Sequence, residues 1–235
     1  MVVTVGLVGL TVLLSVVSLR QDEPISEPSA LLDGSATIPF SGAEDTASLP
    51  PENDKGPVSD MSDGPVAPVI LPPLPDAAAR LTKKPFGLLV SPGRSPVSPE
   101  RFSGYHTGVD LEVFDDEQEA DIPVSAVCSG PLLLKRRASG YGGVVVQGCD
   151  VADQEVTVVY GHLALSSIGV GVGETVPAGG VIGRLGRGFS EETDGERKHL
   201  HLSIHLGTDI ELRGYVPDES SLSKWLDPAE LGGWR

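Results

Sequence analysis

The 235-residue chain has little positive charge, since 17 lysines and arginines stand against 33 aspartates and glutamates and the formal net charge is -16. Binding to nucleic acid requires a basic surface that displaces counterions from the phosphates, so nucleic acid is not expected as a partner. Anionic membrane surfaces are disfavoured for the same reason. Functions that depend on binding a polyanion are therefore set aside.

Cysteine is also scarce, because the chain contains only Cys128 and Cys149. A lipid-modified N-terminal cysteine is excluded, and without a C-x-x-C motif or an adjoining histidine a thiolate zinc site is not expected. Residues 138–142 (ASGYG) are typical of a hairpin turn that brings the two cysteines near each other. In an oxidising compartment this favours a disulfide, with two buried free thiols as the alternative.

Aromatic residues make up only 5% of the chain, whereas it contains 29 glycines and 20 prolines, a balance that indicates a turn-rich β fold. From about residue 81, short Val/Ile/Leu-rich runs lie between glycines and prolines, which predicts strands near 122–127, 132–135, 143–147, 155–160, 181–185 and 199–206. Only residues 220–226 are typical of a helix, with Pro228 closing it. The sequence predicts a mostly β fold, a single antiparallel β-sheet domain.

Two segments precede this domain and differ from it in composition. Residues 2–19 carry no charge, which predicts a hydrophobic helix within 1–20 that is an uncleaved membrane anchor or a cleaved signal peptide, with a buried helix as the alternative. Residues 21–80 hold 11 of the 20 prolines, 11 acidic residues and two basic ones, which predicts a disordered linker, with a loop packed on the domain as the alternative. The expected domain is residues 81–235, in the extracytoplasmic cell envelope or secreted.

Three of the five histidines lie in KHLHLSIH, residues 198–205. On a strand, His199, His201 and His205 would all face the same side of the sheet. Adjacent same-face positions lie about 6.6 Å apart, so His199 and His201 cannot easily bind one metal ion together. One of them would bind the metal while the other faces the bound water.

A second motif, GYHTGVD, lies upstream and places His106 four residues before Asp110. Gly108 between them lets the backbone bend so that imidazole and carboxylate converge. Catalytic zinc sites use three protein ligands and leave a fourth position for water, whose pKa falls to about 7. His106, Asp110 and one strand histidine would suffice, in a metal-lined groove. Since the H-E-x-x-H motif is absent, we expect an imidazole as general base.

The motifs GYHTGVD, VVYGHLAL and KHLHLSI, in this order, resemble the three signature motifs of the lysostaphin and LytM-type zinc endopeptidases, which cut peptidoglycan peptides. The intervening ETVPAGGVIGRLG resembles a further segment of that family, and the resemblance spans about residues 86–210. It implies Zn²⁺ as cofactor and peptidoglycan peptides as substrate. It also implies metal ligands at His106, Asp110 and His201, with His162 and His199 acting on the water and the oxyanion.

The chain departs from the family pattern at Arg197 and Lys198, since the family usually has a glycine or proline shortly before the His-x-His pair. His205 has no counterpart and is expected at the rim of the site or behind a ligand. We expect a zinc-dependent endopeptidase that hydrolyses stem cross-links or interpeptide bridges. The competing hypothesis is a catalytically inactive family member that binds and activates a cell-wall hydrolase, but such relatives are expected to lack ligands, and here every position is filled.

Overall fold

A computed structural model of the chain describes residues 69–235. This part of the chain contains two short α-helices, α1 (Ala77–Arg80) and α2 (Pro228–Leu231), and the rest of its regular structure is mostly extended. The strands in chain order are β1 Leu89–Val90, β2 Gly104–His106, β3 Gly108–Glu112, β4 Pro123–Ser125, β5 Gly130–Ala138, β6 Gly142–Val151, β7 Gln154–Gly161, β8 Thr175–Val176, β9 Val181–Arg184, β10 His199–Leu206, β11 Tyr215–Val216 and β12 Trp225–Leu226. The predicted mostly β class is confirmed.

The predicted N-terminal helix within residues 1–20 and the predicted linker up to residue 68 lie outside the described residues. Within residues 69–235, no helix combines the length and the apolar character needed to cross a bilayer.

The main sheet has the order β12-β10-β7-β6-β5-β8, and β3 pairs with β10 as well. All of these pairs are antiparallel, and two smaller antiparallel sheets, β1-β2-β11 and β4-β9, accompany the main sheet. The valine-rich sequences of β6 and β7 suit the buried centre of the main sheet, because β-branched side chains pack well on a pleated surface. β10 has β7 along one edge, while β3 and β12 share the other edge.

The two faces of β10 have different surroundings. Leu200, Leu202 and Ile204 are fully buried in the main hydrophobic core. His199 and His201, at the alternate positions, lie on the opposite face and line a cleft. The two-residue period of the strand therefore separates the residues that stabilise the domain from those available for chemistry.

Residues 69–80 pack on the β-domain, although the sequence assigned them to the disordered linker. Ile70 and Leu74 are each 1% exposed and belong to the main core. Arg80 is buried and donates hydrogen bonds to both carboxylate oxygens of Glu117, at 2.6 and 2.8 Å. The packing therefore extends to residues before the predicted boundary at residue 81, because burying each aliphatic side chain contributes roughly 1.5–3 kcal/mol.

The C-terminal tail also differs from its prediction. Instead of one helix over residues 220–226, it has a 3-10 helix (Glu219–Lys224) followed by β12 and then by α2. Asp218 caps the first of these by accepting a hydrogen bond from the backbone N–H of Ser221. Pro228 begins α2 rather than closing a helix, since the first helical position requires no N–H donor.

The predicted disulfide between Cys128 and Cys149 is confirmed, with 6.2 Å between the two Cα atoms. Strands β5 and β6 form the predicted hairpin, and residues 139–141 connect them. Cys128 precedes β5 and Cys149 lies near the end of β6, so the bond closes the end of the hairpin that is opposite the turn.

Reducing this disulfide is expected to lower the free energy of unfolding without removing a bound metal ion. The bond joins residues separated by 21 positions, and closing such a loop stabilises a protein by about 3 kcal/mol in the chain-entropy model. Unfolding curves with and without a thiol reductant, measured together with metal content, test this. Equal stability of the two forms would contradict it.

Candidate metal centre

The residues of the first and third motifs meet where β3 pairs with β10. His201 stands directly opposite Asp110 in the antiparallel register, so the two side chains share one face of the sheet. His106 ends β2, four residues before Asp110. Between them the chain bends at Thr107, whose hydroxyl donates to the Arg213 carbonyl at 2.7 Å. This bend brings His106 beside the pair on the sheet.

Three potential ligand atoms converge at this point. The Nε2 atom of His106 lies 3.1 Å from Nδ1 of His201 and 3.3 Å from Oδ1 of Asp110. Nδ1 of His201 and Oδ1 of Asp110 are also 3.1 Å apart. All three side chains are buried, and their ligand atoms lie within 4.8 Å of one another. The structure thus brings together the three residues for which the sequence predicted a metal-binding role.

Hydrogen bonds determine which ring nitrogen of His106 and of His201 is free to bind a metal ion. Nδ1 of His106 lies 3.2 Å from the Pro85 carbonyl, which can only accept, so this nitrogen carries the proton and Nε2 keeps its lone pair. Nε2 of His201 lies 3.3 Å from the Tyr141 hydroxyl, which can accept its proton and leave Nδ1 free. Such partners orient ligand imidazoles in metal sites, so two nitrogens and one oxygen are available to a metal ion.

The two histidines predicted to act on water lie beside this cluster. Nδ1 of His199 donates to the Arg197 carbonyl at 2.9 Å, which leaves Nε2 facing Oδ2 of Asp110 at 3.3 Å. His162 immediately follows β7, and its φ of 64° is unusual for a residue with a side chain. Its ring centroid is 4.2 Å from that of His199. Both rings line the cleft.

Burial and neighbouring charges control the ionisation of the cluster. Burial raises the pKa of the Asp110 carboxyl, but its close contacts with His199 and His106 lower it by more, so that it lies well below its usual range. Burial lowers the pKa of His201 to about 4. Burial, together with the neighbouring His199 ring, lowers the pKa of His162 well below its usual value. An ionised carboxylate and neutral imidazoles are the forms in which these groups bind metals.

The cleft beside the cluster has a volume of about 340 Å³ and includes residues that the sequence did not single out. Lys84 is buried, pairs with the Glu100 carboxylate at 2.6 Å and donates to the Tyr215 hydroxyl at 2.9 Å. An ammonium group only donates hydrogen bonds, so the hydroxyl proton of Tyr215 remains available to an acceptor in the cleft. Because Lys84 and Tyr215 are 131 residues apart, no local motif could have indicated this pair.

His205 lies further along β10 and takes no part in the cluster. Its ring packs edge-on against Trp225 of β12, with 4.9 Å between the ring centroids. Among the described residues, neither the three-residue ligand group nor the lining of the cleft includes it. Its role as a rim residue or a support behind a ligand stays a prediction.

Residues 104–211 match the model of peptidase family M23. The predicted family resemblance is confirmed. The matched region contains the five predicted site residues, His106, Asp110, His162, His199 and His201. No curated protein matches the chain significantly.

Several solved structures are similar to this chain. The catalytic domain of the antimicrobial peptidase lysostaphin from Staphylococcus simulans is 20% identical, and the match covers 66% of this chain and 95% of that one, with a TM-score of 0.46. CbpA from L. salivarius REN is 27% identical over 64% of this chain and 84% of its own, with a TM-score of 0.41. Helicobacter pylori Csd3 is 21% identical over 60% of this chain and 32% of its own, with a TM-score of 0.40.

Proposed function

We propose that this protein is a zinc-dependent endopeptidase that hydrolyses peptide bonds of peptidoglycan in the bacterial cell envelope. The observation that carries the proposal is the convergence of two histidine nitrogens and one carboxylate oxygen within 4.8 Å of one another. The match to peptidase family M23 supports a peptidase, and the motif resemblance to wall-cutting enzymes suggests the substrate. Stem cross-links and interpeptide bridges are both candidate bonds.

His106, Asp110 and His201 would hold the zinc ion. Two imidazoles and one carboxylate match the donor types of catalytic zinc sites, which use three protein ligands and keep a fourth position open. When bound there, zinc supplies Lewis acidity, which polarises a scissile carbonyl and lowers the pKa of water to about 7. The Cys128 and Cys149 sulfurs take no part, because they are joined in the disulfide.

His199 would accept the proton of the attacking water, and His162 would stabilise the negative charge that develops on the carbonyl oxygen. Nδ1 of His199 uses its proton in the bond to the Arg197 carbonyl, so Nε2 can accept a proton from the attacking water. The lowered pKa of His162, which burial causes, keeps that ring neutral with one N–H available. This N–H, together with the Tyr215 hydroxyl, can donate to the carbonyl oxygen as it becomes an oxyanion.

The location of the protein is part of the proposal. Residues 1–20 would act as a membrane anchor or as a cleaved signal, and the following proline-rich segment would tether the domain outside the cytoplasm. The disulfide supports this location, because such bonds persist in oxidising compartments and are rare in the cytosol.

Metal content and wall digestion test the proposal directly. The purified protein should carry about one zinc ion per chain, as expected for a site with three protein ligands. It should release new peptide termini, identified by mass spectrometry, from isolated peptidoglycan. A chelator should stop this release and added zinc should restore it. Stoichiometric zinc without hydrolysis of several wall types would instead favour the binding-only alternative, and no bound zinc would refute the metal site.

A further inference from the structure

Arg197 makes an ion-pair network beside the predicted ligand Asp110. Its Nη2 donates to Oδ2 of Asp110 at 2.8 Å and to Oε1 of Glu112 at 2.5 Å. Its Nε lies 3.0 and 2.9 Å from the two carboxylate oxygens of Glu112. The side chains of Arg197, Asp110 and Glu112 are 13%, 3% and 10% exposed. The guanidinium therefore bridges two carboxylates in a site that is largely shielded from solvent.

The hydrogen bond from Arg197 gives the two carboxylate oxygens of Asp110 different surroundings. Oδ1 faces Nε2 of His106 at 3.3 Å and Nδ1 of His201 at 3.1 Å. Oδ2 accepts from the guanidinium and also faces Nε2 of His199 at 3.3 Å. Rotation of the carboxylate would break the bond to Arg197, so the oxygen that faces the two histidines is fixed.

The main chain of Arg197 orients a second member of the site. Its carbonyl accepts the Nδ1 proton of His199, which determines the nitrogen that this ring presents to the cleft. A single residue thus contacts a predicted ligand through its side chain and a predicted catalytic histidine through its backbone.

We propose that Arg197, held in place by Glu112, is a positioning residue that restricts Asp110 to binding the metal through Oδ1 and so strengthens metal binding. The inference rests on the proposed metal site and names a residue that would determine the affinity of that site for zinc. Partners that orient a ligand commonly change metal affinity by about 10- to 100-fold when they are removed. The positive charge of Arg197 by itself would oppose a nearby cation, but the Glu112 carboxylate neutralises it at hydrogen-bond distance.

Arginine suits this role better than lysine. Its planar group offers five donors in a fixed arrangement and can contact two carboxylates at once, whereas an ammonium is a single compact charge on a flexible chain. We therefore expect Arg197→Lys to recover only part of the affinity that Arg197→Gln loses. Partial recovery would show that geometry contributes in addition to charge.

Metal titration of matched variants tests the proposal. Zinc dissociation constants are measured for the metal-free protein against a competing chelator, for the wild type, Arg197→Gln, Arg197→Lys and Glu112→Gln. Arg197→Gln should weaken binding about 10- to 100-fold, and Glu112→Gln should weaken it in the same direction but less. Arg101→Gln is the control, because Arg101 pairs with Glu196 at 2.9 Å and is 45% exposed.

Cobalt(II) substitution provides a second readout, because its visible spectrum reports the coordination of the ion. If Arg197 restricts Asp110 to one oxygen, Arg197→Gln should change the spectrum of the cobalt protein and Arg101→Gln should not. Thermal unfolding of the metal-free variants checks that each one folds. If Arg197→Gln does not fold, the zinc affinity of Glu112→Gln tests the proposal instead.

Unchanged or tighter zinc binding by both Arg197→Gln and Glu112→Gln would overturn this inference and leave the proposed metal site intact. A wild-type protein that binds no zinc would refute the proposed site itself, and the inference with it.

Discussion

Replacing His201 with alanine is expected to abolish metal binding and peptide hydrolysis together. His201 supplies one of the three proposed ligand atoms, and its Nδ1 lies 3.1 Å from both of the other two. With two protein ligands left, the site falls short of the three that catalytic zinc sites use. Zinc content by elemental analysis and turnover on peptidoglycan peptides should fall in parallel. The thermal stability gained on adding zinc should also disappear, since a metal that binds only the folded state stabilises it.

His205→Ala is the control for this variant, because His205 lies on the same strand and packs against Trp225 rather than in the cluster. It should retain zinc and most of the turnover. Loss of zinc from the His205 variant would mean that the ligands are wrongly assigned.

Replacing His199 with alanine is expected to separate metal binding from catalysis. This ring lies beside the cluster, with Nε2 facing Oδ2 of Asp110 rather than Oδ1, so its loss should leave the three ligand atoms in place. It would remove the group proposed to accept the proton of the attacking water. General base and oxyanion contributions of this kind are worth about 100-fold or more in turnover. Zinc content and turnover, measured on the same preparation, test the separation.

His162→Ala provides a matched comparison, because its ring is 4.2 Å from that of His199 and lines the same cleft. It too should keep zinc and lose turnover. If the His199 variant lost its zinc while the His201 variant retained it, the roles of the two strand histidines would have to be exchanged.

Local periodicity predicted which histidines share a face, whereas the choice of His201 as a ligand and the role of His162 came from the family resemblance. Alternation along β10 places His199 and His201 on one face and Leu200 and Leu202 on the other, because a strand repeats every two residues. The four-residue spacing of His106 and Asp110 predicted convergence, and the bend at Thr107 produces it. Short apolar runs between turn residues likewise predicted the antiparallel strands.

The remaining features depend on contacts between distant parts of the chain. Tyr141 and Tyr215 approach the cluster from the β5–β6 turn and from β11, and nothing in their local sequences marks them. Arg197 stood out only as a departure from the family pattern, and its contacts with Asp110 and Glu112 follow from the pairing of β3 with β10. Sequence spacing does not encode such proximity, because it results from tertiary packing.

The packing of Ile70 and Leu74 determines where the smallest folded catalytic unit can begin. A fragment trimmed to start at residue 81 keeps every predicted active-site residue but leaves cavities where these two side chains lie in the core. It would also lose the hydrogen bonds that Val69 and Leu71 donate to the carbonyls of Leu231 and Val127. A protease that cuts the preceding proline-rich segment should therefore stop short of Val69, and the resistant fragment would be the one to purify.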